Sequence, residues 1–307
     1  MKIVLPVAGN GVRLRPYTEN LPKCLLPVAG KTIIDWIVDD ALFLKPTETI
    51  FITGYKASVV DDFLRQKPEW GAVRTVVQSN PQGLGEAISL ALPYVNDEEP
   101  LLIILGDTLF EADLSILESA EDNILYTFKV DDPKRFGVAV TDKDGRIERL
   151  VEKPQEFVSD EAIVGIYYIK DVKALKEALN YLMQNDIRTK GEFQLTDALE
   201  RMIQGGCKFR TAPVKKWLDC GLVETLLATN AHVLQRNEKS APQKFEGSEV
   251  IMPCHIGRNV TIKNSKVGPN VSVGDGCVIE NSEVSDAILW DCVKVVNQKV
   301  ADAVIHV

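Results

Sequence analysis

The sequence predicts an α/β protein in which a doubly wound mixed sheet is followed by a short β-solenoid. Three features of the 307 residues support this prediction. Strand-like and helix-like segments alternate up to about residue 105, which is the order of βαβ units. Strand-like segments then dominate between Asn123 and Ile169. From Ile256 onward, aliphatic residues recur five or six positions apart, which is the period of stacked β-coils.

The first half of the chain provides the alternating elements. An apolar run between Ile3 and Val7 predicts a strand that ends in a glycine turn. Hydrophobic spacing then predicts, in chain order, a helix at 32–44, a strand at 49–53, a helix at 58–65, a strand at 73–78, a helix at 85–92 and a strand at 101–105. The last strand is apolar throughout, as expected for a strand covered on both faces of a parallel sheet.

The second half is β-rich before its last helices. Strands are predicted at 124–130, 137–140, 146–152 and 162–169, and helices at 172–182, up to about 203, and 222–234. The segment Arg236–Gly247 is polar and interrupted by proline and glycine, so it marks a boundary. The predicted organisation is a first domain at 1–236, a linker at 237–249 and a solenoid of about three coils at 250–307.

Composition narrows the function classes. Apolar content of 45% and charged content of 26% are typical of a globular protein with a sizeable core. A net charge of −9 argues against a nucleic-acid partner. No apolar run approaches the roughly 20 residues of a membrane span, and the N-terminus lacks a signal-peptide pattern. Six scattered cysteines without a C-x-x-C pair are expected to be reduced thiols in a cytoplasm. Three distant histidines argue against a histidine metal site or a catalytic triad.

A glycine turn after the first strand is the first candidate binding element. Gly9 and Gly11 permit a tight turn in which backbone N–H groups approach a ligand closely. Arg13 and Lys23 follow this turn. Arginine offers a planar fork to phosphate oxygens and lysine a compact charge, so the arrangement suits a polyphosphate.

The turn fits neither common phosphate-binding motif. Leu14 replaces the third glycine of the dinucleotide fingerprint, and Pro16 blocks the helix expected after it. A P-loop ending in Gly30-Lys31-Thr32 would require a glycine where Leu25 stands. An ordinary strand and turn with surface charges is the alternative explanation of this segment.

Two later strands end in polar candidates. Gln78 precedes Gly83, so an amide and a closely approaching backbone could meet the edge of a base, although an ordinary turn would look the same. Asp107 follows the apolar strand, where a carboxylate beside a polyphosphate would hold Mg²⁺ through hard oxygen atoms. A helix-capping role is the alternative for this aspartate.

The β-rich half contains weaker candidates. Glu152 and Lys153 end a predicted strand, where an exposed charged edge is the ordinary explanation. Glu192 and Asp197 lie around the start of a helix and would in any case complement its N-terminus. Residues alone therefore leave these positions open.

Taken in order, the segments resemble the sugar-1-phosphate nucleotidyltransferases. The resemblance covers residues 1 to about 235 and rests on Ala8–Thr18, Pro22–Val28, Gln78–Gly85, Leu105–Asp107, Phe136–Val138 with Glu152–Pro154, Gly191–Asp197 and Trp217–Gly221. It implies a Rossmann-like nucleotidyltransferase domain followed by a short left-handed parallel β-helix. Asn10 and Val12 depart from the family pattern, in which a further glycine and a hydroxyl residue are common.

The resemblance implies a role for each candidate. The implied catalytic residues are Arg13, Lys23, Asp107 and Lys153. The implied nucleotide-binding residues are Ala8, Gly9, Asn10, Gly11, Arg13, Gln78, Gly83 and Asp107. The implied sugar-phosphate-binding residues are Gly137, Glu152, Lys153, Tyr167 and Glu192. Asp107 and Asp219 would bind Mg²⁺, and Asp219 is expected after a strand that returns to the centre of the sheet.

The implied reaction joins a nucleoside triphosphate to a sugar 1-phosphate and releases pyrophosphate. Gln78 and Gly83 favour a pyrimidine nucleotide, dTTP or UTP, and glucose 1-phosphate is the expected sugar. The alternatives are a guanylyl- or adenylyltransferase and a non-catalytic regulatory subunit that binds a sugar nucleotide. A regulatory subunit would be expected to lack Arg13, Lys23 or a metal carboxylate, and all are present. A cytoplasmic homo-oligomer without nucleic-acid or membrane partners is expected.

Overall fold

The computed structural model describes residues 1–237 and 244–306. Contacts between α-carbons divide the chain into two compact units. The first, called here the sheet unit, comprises Met1–Gly9, Ile37–Gly106 and Phe110–Trp217. The second, called the solenoid unit, comprises Asn10–Trp36, Asp107–Leu109 and Leu218–Val307. The glycine loop is therefore grouped with the C-terminal repeat. The domain boundaries at 236 and 250 stay a prediction, and positions 238–243 of the predicted linker lie outside the described residues.

The elements predicted before residue 237 are present in the predicted order, with ends shifted by a few residues at most, and four further strands, at 27–28, 31–32, 108–111 and 209–213, were not predicted. The strands are β1 (Lys2–Pro6), β2 (Pro27–Val28), β3 (Lys31–Thr32), β4 (Glu48–Thr53), β5 (Val73–Val77), β6 (Leu101–Ile104), β7 (Thr108–Glu111), β8 (Asn123–Lys129), β9 (Gly137–Thr141), β10 (Ile147–Glu152), β11 (Glu161–Ile169), β12 (Phe209–Pro213) and β13 (Lys216–Asp219). The helices are α1 (Ile33–Ala41), α2 (Ala57–Leu64), α3 (Leu84–Ala91), α4 (Val172–Gln184), α5 (Leu195–Gln204) and α6 (Val223–Arg236).

A mixed sheet forms the core of the sheet unit. Nine of the described strands belong to it, in the order β10-β9-β11-β6-β1-β4-β5, with β8 beside β11 and β12 beside β8. β1 runs parallel to β4 and β6, and β4 runs parallel to β5. β11 runs antiparallel to both β6 and β8. The mixed α/β sheet is therefore confirmed, and β6 is buried along its whole length as its apolar sequence predicts.

Three helices of the sheet unit pack together against the sheet. α3, α4 and α5 pack against one another, and α3 also lies against β1 and β4. Their buried residues recur at helical spacing and join the core of the sheet: Ala87, Ile88 and Ala91 of α3, Leu175, Ala178, Leu179 and Leu182 of α4, and Leu195, Ala198, Leu199 and Met202 of α5. This packing fixes where α3 begins, directly after Gly83.

The strand before Asp219 is placed differently from the prediction. β13 does not join the centre of the nine-stranded sheet; it pairs with β7 in a separate two-stranded sheet. The physical reason is that the central strands have no free edge. β6 is hydrogen-bonded to β1 on one side and to β11 on the other, and β1 is hydrogen-bonded to β4 and β6.

The C-terminal repeat forms parallel coils. Its strands are β14 (Glu249–Val250), β15 (Cys254–Ile256), β16 (Thr261–Lys263), β17 (Lys266–Val267), β18 (Val271–Val273), β19 (Val278–Glu280), β20 (Glu283–Leu289), β21 (Lys294–Val296) and β22 (Lys299–Ile305). Each pairs in parallel with a strand one coil away, for example Glu249 with Lys266 and Glu283 with Lys299. The interior is aliphatic, with Ile262, Val267, Val271, Val273, Ile279 and Val284 buried together. The left-handed sense of the coil stays a prediction.

α6 connects the repeat to the segment that follows the glycine loop. This helix packs against β2 and against the solenoid strands β18, β20 and β22. Asn230 of α6 is fully buried. Its Oδ1 accepts the N–H of Ala29 at 2.9 Å and the hydroxyl of Ser272 at 2.6 Å, and its Nδ2 donates to the carbonyl of Asn270 at 3.2 Å. One side chain thus joins the hairpin formed by β2 and β3 to the solenoid.

A second link joins the glycine loop to the last coil. The hydroxyl of Tyr17 donates to the carbonyl of Val304 at 3.2 Å. The ring of Tyr17 also packs against His306 and Trp290, with centroid distances of 5.2 and 6.3 Å. The repeat is therefore integrated with the loop and is not a separate appendage.

Candidate functional site

The first strand leads directly into the glycine loop. At its exit the carbonyl of Ala8 accepts the N–H of Tyr55 at 3.3 Å, which fixes the start of the loop. Around Gly9, no atom lies within 4 Å of the position that a side-chain carbon would occupy. The backbone at Gly9 therefore faces open space, where a ligand can approach it.

The loop turns back at Gly11. This residue has a φ of +58°, in the left-handed region that favours glycine. Its carbonyl accepts the hydroxyl of buried Thr18 at 2.8 Å, which closes the turn from within. Asn10 is exposed, and the side chain of Val12 is 58% exposed. Val12, where the resemblance implies a hydroxyl residue, thus exposes an apolar side chain to solvent.

Arg13 lies close to the segment that contains Asp219. It belongs to a short 3₁₀ helix, Val12–Leu14, and is exposed. A methyl group at Gly221 would lie 3.1 Å from Nη2 of Arg13 and 2.9 Å from Oδ1 of Asp219. The guanidinium and the carboxylate therefore face the same backbone carbon.

Lys23 forms an ion pair with Asp107. The distance from Nζ of Lys23 to Oδ2 of Asp107 is 2.9 Å. The lysine side chain is only 11% exposed, whereas the aspartate side chain is 50% exposed. Packing therefore orients the ammonium, while the carboxylate stays open to a ligand.

Asp219 is held by the residues that follow it. Its Oδ1 accepts the N–H of Gly221 at 3.0 Å, and its Oδ2 accepts the hydroxyl of Thr225 at 3.3 Å. The hydroxyl of Thr225 also accepts the N–H of Leu222, at the start of α6. The carboxylate is therefore oriented by the N-terminal end of this helix while it remains exposed.

Two buried thiols lie within reach of these charges. Burial raises the pKa of Cys220 to about 12, and the charges of Lys23, Asp219 and Asp107 also act on this thiol. Burial likewise raises the pKa of Cys24 to about 12, with smaller effects from Asp107 and Lys23. Lys23, Asp107 and Asp219 therefore lie close enough to Cys220 for their charges to act on its thiol. Neither thiol is a nucleophile at neutral pH, because both stay protonated.

The chemistry of Asp107 and Asp219 fits a magnesium ion. Both are exposed or half-exposed carboxylates, and oxygen atoms of this kind are the ligands that Mg²⁺ prefers. Among residues 1–237 and 244–306, no group of three Asp, Glu, His or Cys side chains forms a complete metal site. A site of two carboxylates suits Mg²⁺, which commonly takes its other ligands from water and substrate phosphates.

Gln78 and Gly83 lie at the two ends of the loop that joins β5 to α3 in the sheet unit. Gln78 follows β5 and is 7% exposed, and its backbone N–H donates to the carbonyl of Thr53 at 2.7 Å. Gly83 has a φ of +121°, and a methyl group there would lie 2.5 Å from the carbonyl oxygen of Phe193. Only glycine allows this close approach, so the loop that joins β5 to α3 lies tightly on the segment around Phe193.

The predicted sugar-phosphate residues Gly137, Glu152 and Lys153 lie together. Glu152 accepts the hydroxyl of Thr196 at 2.8 Å and pairs with Nζ of Lys153 at 3.4 Å. A methyl group at Gly137 would lie 2.9 Å from Oε2 of Glu152. Lys153 has a φ of +47°, in the left-handed region. Hydrogen bonds and an ion pair thus hold these side chains together at the strand end, and their sugar-phosphate role stays a prediction.

Glu192 and Tyr167 have different surroundings. Glu192 accepts the side-chain amide of Gln194 at 2.9 Å, and its Cβ lies 2.9 Å from the methyl position at Gly83. Tyr167 is 5% exposed in β11 and belongs to the hydrophobic core. The structure thus places Glu192 beside the loop that joins β5 to α3, and the sugar-binding roles of Glu192 and Tyr167 stay predictions.

Several supporting residues were missed by sequence reasoning. Thr196 orients Glu152, Thr225 orients Asp219, and Glu86 binds the amide of Gln78. Thr196 and Thr225 are ordinary helix residues in the sequence, and their partners lie far away or behind a turn. Glu86 had a local signal, since it is an acidic residue in the first turn of a predicted helix that follows Gln78.

Comparison with known proteins places this chain in a family. A family model described as nucleotidyl transferase matches residues 2–236. A glucose-1-phosphate thymidylyltransferase of Streptomyces antibioticus is 29% identical, over 94% of this chain and 87% of that protein. A bifunctional protein GlmU of Methanocaldococcus jannaschii is 32% identical, over 82% of this chain and 59% of that protein.

The fold is also similar to a solved structure. UDP-glucose pyrophosphorylase in complex with UDP-glucose superposes with a TM-score of 0.66 and 23% identity, over 77% of this chain and 99% of that one. At this identity the similarity concerns the fold. No helix among the described residues combines the length and apolar character needed to cross a membrane.

Proposed function

Because the chain belongs to the nucleotidyl transferase family, we propose that it transfers a nucleotidyl group from dTTP or UTP to a sugar 1-phosphate, with release of pyrophosphate. The sugar is proposed to be glucose 1-phosphate, which appears in the name of a relative that matches most of this chain. A cytoplasmic location and self-association are part of the same proposal.

One observation carries the proposal. The ammonium of Lys23 is held 2.9 Å from the half-exposed carboxylate of Asp107, and the nearby thiol of Cys220 stays protonated because it is buried, so the site offers charge neutralisation without a protein nucleophile. Nucleotidyl transfer has this requirement, because both substrates are multiply charged and the attacking oxygen comes from the sugar phosphate.

The reaction is a direct displacement. An oxygen of the sugar phosphate attacks the α-phosphorus, the bond from that phosphorus to the bridging oxygen breaks, and pyrophosphate leaves with the electron pair. Catalysis then depends on positioning and on stabilising charge in the transition state. Asp107 and Asp219 would hold Mg²⁺, which when bound supplies further charge neutralisation at the phosphates.

The cations of the chain have separate tasks. The exposed guanidinium of Arg13 binds the β- and γ-phosphates as charge develops on the leaving group. Lys23, whose ammonium is oriented by packing and by Asp107, binds the α-phosphate and the sugar phosphate. Lys153, paired with Glu152, binds the phosphate of the sugar, and Glu152 binds sugar hydroxyls. Gln78 and the backbone at Gly83 bind the base.

A pyrophosphate-release assay tests the proposal. It uses UTP, dTTP, GTP and ATP, each with glucose 1-phosphate or N-acetylglucosamine 1-phosphate, in the presence of Mg²⁺. Release is expected with UTP or dTTP and glucose 1-phosphate, and Lys23→Ala is expected to abolish it. The exposed Lys208→Ala is the matched control. Absence of release with every pair would refute the activity, and release with GTP or ATP alone would refute the choice of base.

A further inference from the structure

The side chain of Glu86 determines which way the amide of Gln78 faces. Nε2 of Gln78 lies 2.6 Å from Oε2 of Glu86. A carboxylate accepts hydrogen bonds and donates none, so the amide nitrogen, and not its oxygen, must face it. A rotated amide would place two oxygen atoms against each other, and one of them carries negative charge.

Glu86 is itself fixed. It lies in the first turn of α3, where the helix dipole favours an acidic side chain. The same Oε2 also accepts the backbone N–H of Gln82 at 3.3 Å. Gln82 is in turn held to Phe193, whose N–H donates to the carbonyl of Gln82 at 2.8 Å. The carboxylate therefore cannot turn away from Gln78 without also losing its hydrogen bond to the N–H of Gln82.

The fixed amide presents one order of groups to a base. Because one N–H of Nε2 is bound to Glu86, Oε1 of Gln78 remains available to accept a hydrogen bond from a base, and the second N–H of Nε2 remains available to donate one. Uracil and thymine match this order, because their ring N–H lies beside a carbonyl oxygen. Cytosine has the reverse order, a ring nitrogen that accepts beside an amino group that donates. When the sugar and phosphates hold the base in one position, a fixed amide can form both hydrogen bonds with uracil or thymine but not with cytosine.

We infer that Glu86 is a positioning residue that selects bases with a ring N–H beside a carbonyl, and rejects cytosine, by holding the amide of Gln78 in a single orientation. This inference rests on the proposed base-binding role of Gln78. It goes beyond that role because Glu86 makes the selection without contacting the nucleotide. Without the carboxylate the amide turns freely and accepts either order.

Calorimetric titration of UTP and CTP in the presence of Mg²⁺ tests the inference on the full-length protein. Wild type is expected to prefer UTP by about tenfold to a hundredfold, which is the discrimination expected from one two-point contact to a base. Glu86→Ala is expected to reduce that ratio by about tenfold, with weaker UTP binding and tighter CTP binding. Glu86→Gln keeps an acceptor for Nε2 and is expected to restore most of the preference.

The control is Glu118→Ala, which removes an exposed acidic residue from the first turn of another short helix in the same unit. It is expected to leave the ratio unchanged. Equal weakening of UTP and CTP by Glu86→Ala would overturn the inference and assign Glu86 a purely structural role in α3. Wild-type pyrophosphate release with UTP, measured separately, tests the proposed function. An active wild type with an unchanged ratio in Glu86→Ala would therefore refute the inference alone.

Discussion

Replacing Asn230 by alanine tests how strongly the solenoid supports the segment that follows Lys23. Asn230 is fully buried in α6 and makes three hydrogen bonds through its side chain. Its partners are the N–H of Ala29, the hydroxyl of Ser272 and the carbonyl of Asn270. Ala29 and Lys23 belong to one continuous segment, and Ser272 belongs to the solenoid.

The expected loss is large for one side chain. Asn230→Ala removes all three bonds and leaves two buried donors, at Ala29 and Ser272, without their acceptor. An unsatisfied buried polar group costs about 1–3 kcal/mol, so the free energy of unfolding should fall by about 3–5 kcal/mol.

Urea unfolding followed by tryptophan fluorescence measures this loss. Asn237→Ala is the matched control, because Asn237 lies at the end of the same helix and its side chain makes one bond, to the carbonyl of Val233. It should lose about 1 kcal/mol or less. If Asn230→Ala were as stable as Asn237→Ala, the buried network would not hold the hairpin to the solenoid. The reasoning would then be refuted.

Three further predictions concern the site and its pH dependence. Asp107→Asn and Asp219→Asn should each lower kcat by about 10³-fold without lowering the melting temperature, because each removes a charged metal ligand. Arg13→Ala should mainly lower kcat, and Lys153→Ala should mainly raise KM for the sugar phosphate, each by about 30- to 1,000-fold when one substrate is varied at saturating levels of the other. Burial lowers the pKa of His255 below its usual 6.5. As the pH falls, His255 is therefore protonated at a higher pH in the unfolded chain than in the folded protein. The free energy of unfolding should therefore fall as pH drops below about 6.5, and His255→Gln should flatten the urea-derived profile between about pH 7 and 5.

Specific outcomes would contradict these predictions. Near wild-type turnover with Mg²⁺ in both aspartate variants would show that the metal assignment is wrong. Equal weakening of nucleotide binding by Arg13→Ala and Lys153→Ala would remove Lys153 from the sugar side. An unchanged pH profile in His255→Gln would show that another group takes up the proton.

Local signals predicted most of the fold. The helices and most of the longer strands before residue 237 were predicted from the spacing of apolar residues, because this spacing reports burial on one face or both. The strands β2, β3, β7 and β12 were not predicted. The strand before Asp219 was placed wrongly because strand partners are chosen by free edges, which a sequence does not display. β6 and β1 have none, so β13 pairs with β7.

The sequence predicted individual residues of the candidate site but not the side chains that hold them in place. Gln78 was predicted from its position after a strand, but its partner Glu86 was not, because their contact depends on how the loop before α3 folds back. The link from Tyr17 to Val304 spans nearly the whole chain and has no sequence signal. The hydrogen bonds that Asn230 makes to Ala29 and Ser272 likewise join distant segments and have no sequence signal.

Phosphorus NMR of the reaction products tests the central claim most directly. Wild-type protein is incubated with Mg²⁺, glucose 1-phosphate and either UTP or dTTP. The account predicts that the triphosphate signals disappear while a diphosphate ester and pyrophosphate appear in equal amounts, and that Lys23→Ala gives neither. Formation of inorganic phosphate and a nucleoside diphosphate, or unchanged spectra with every nucleotide, would contradict it.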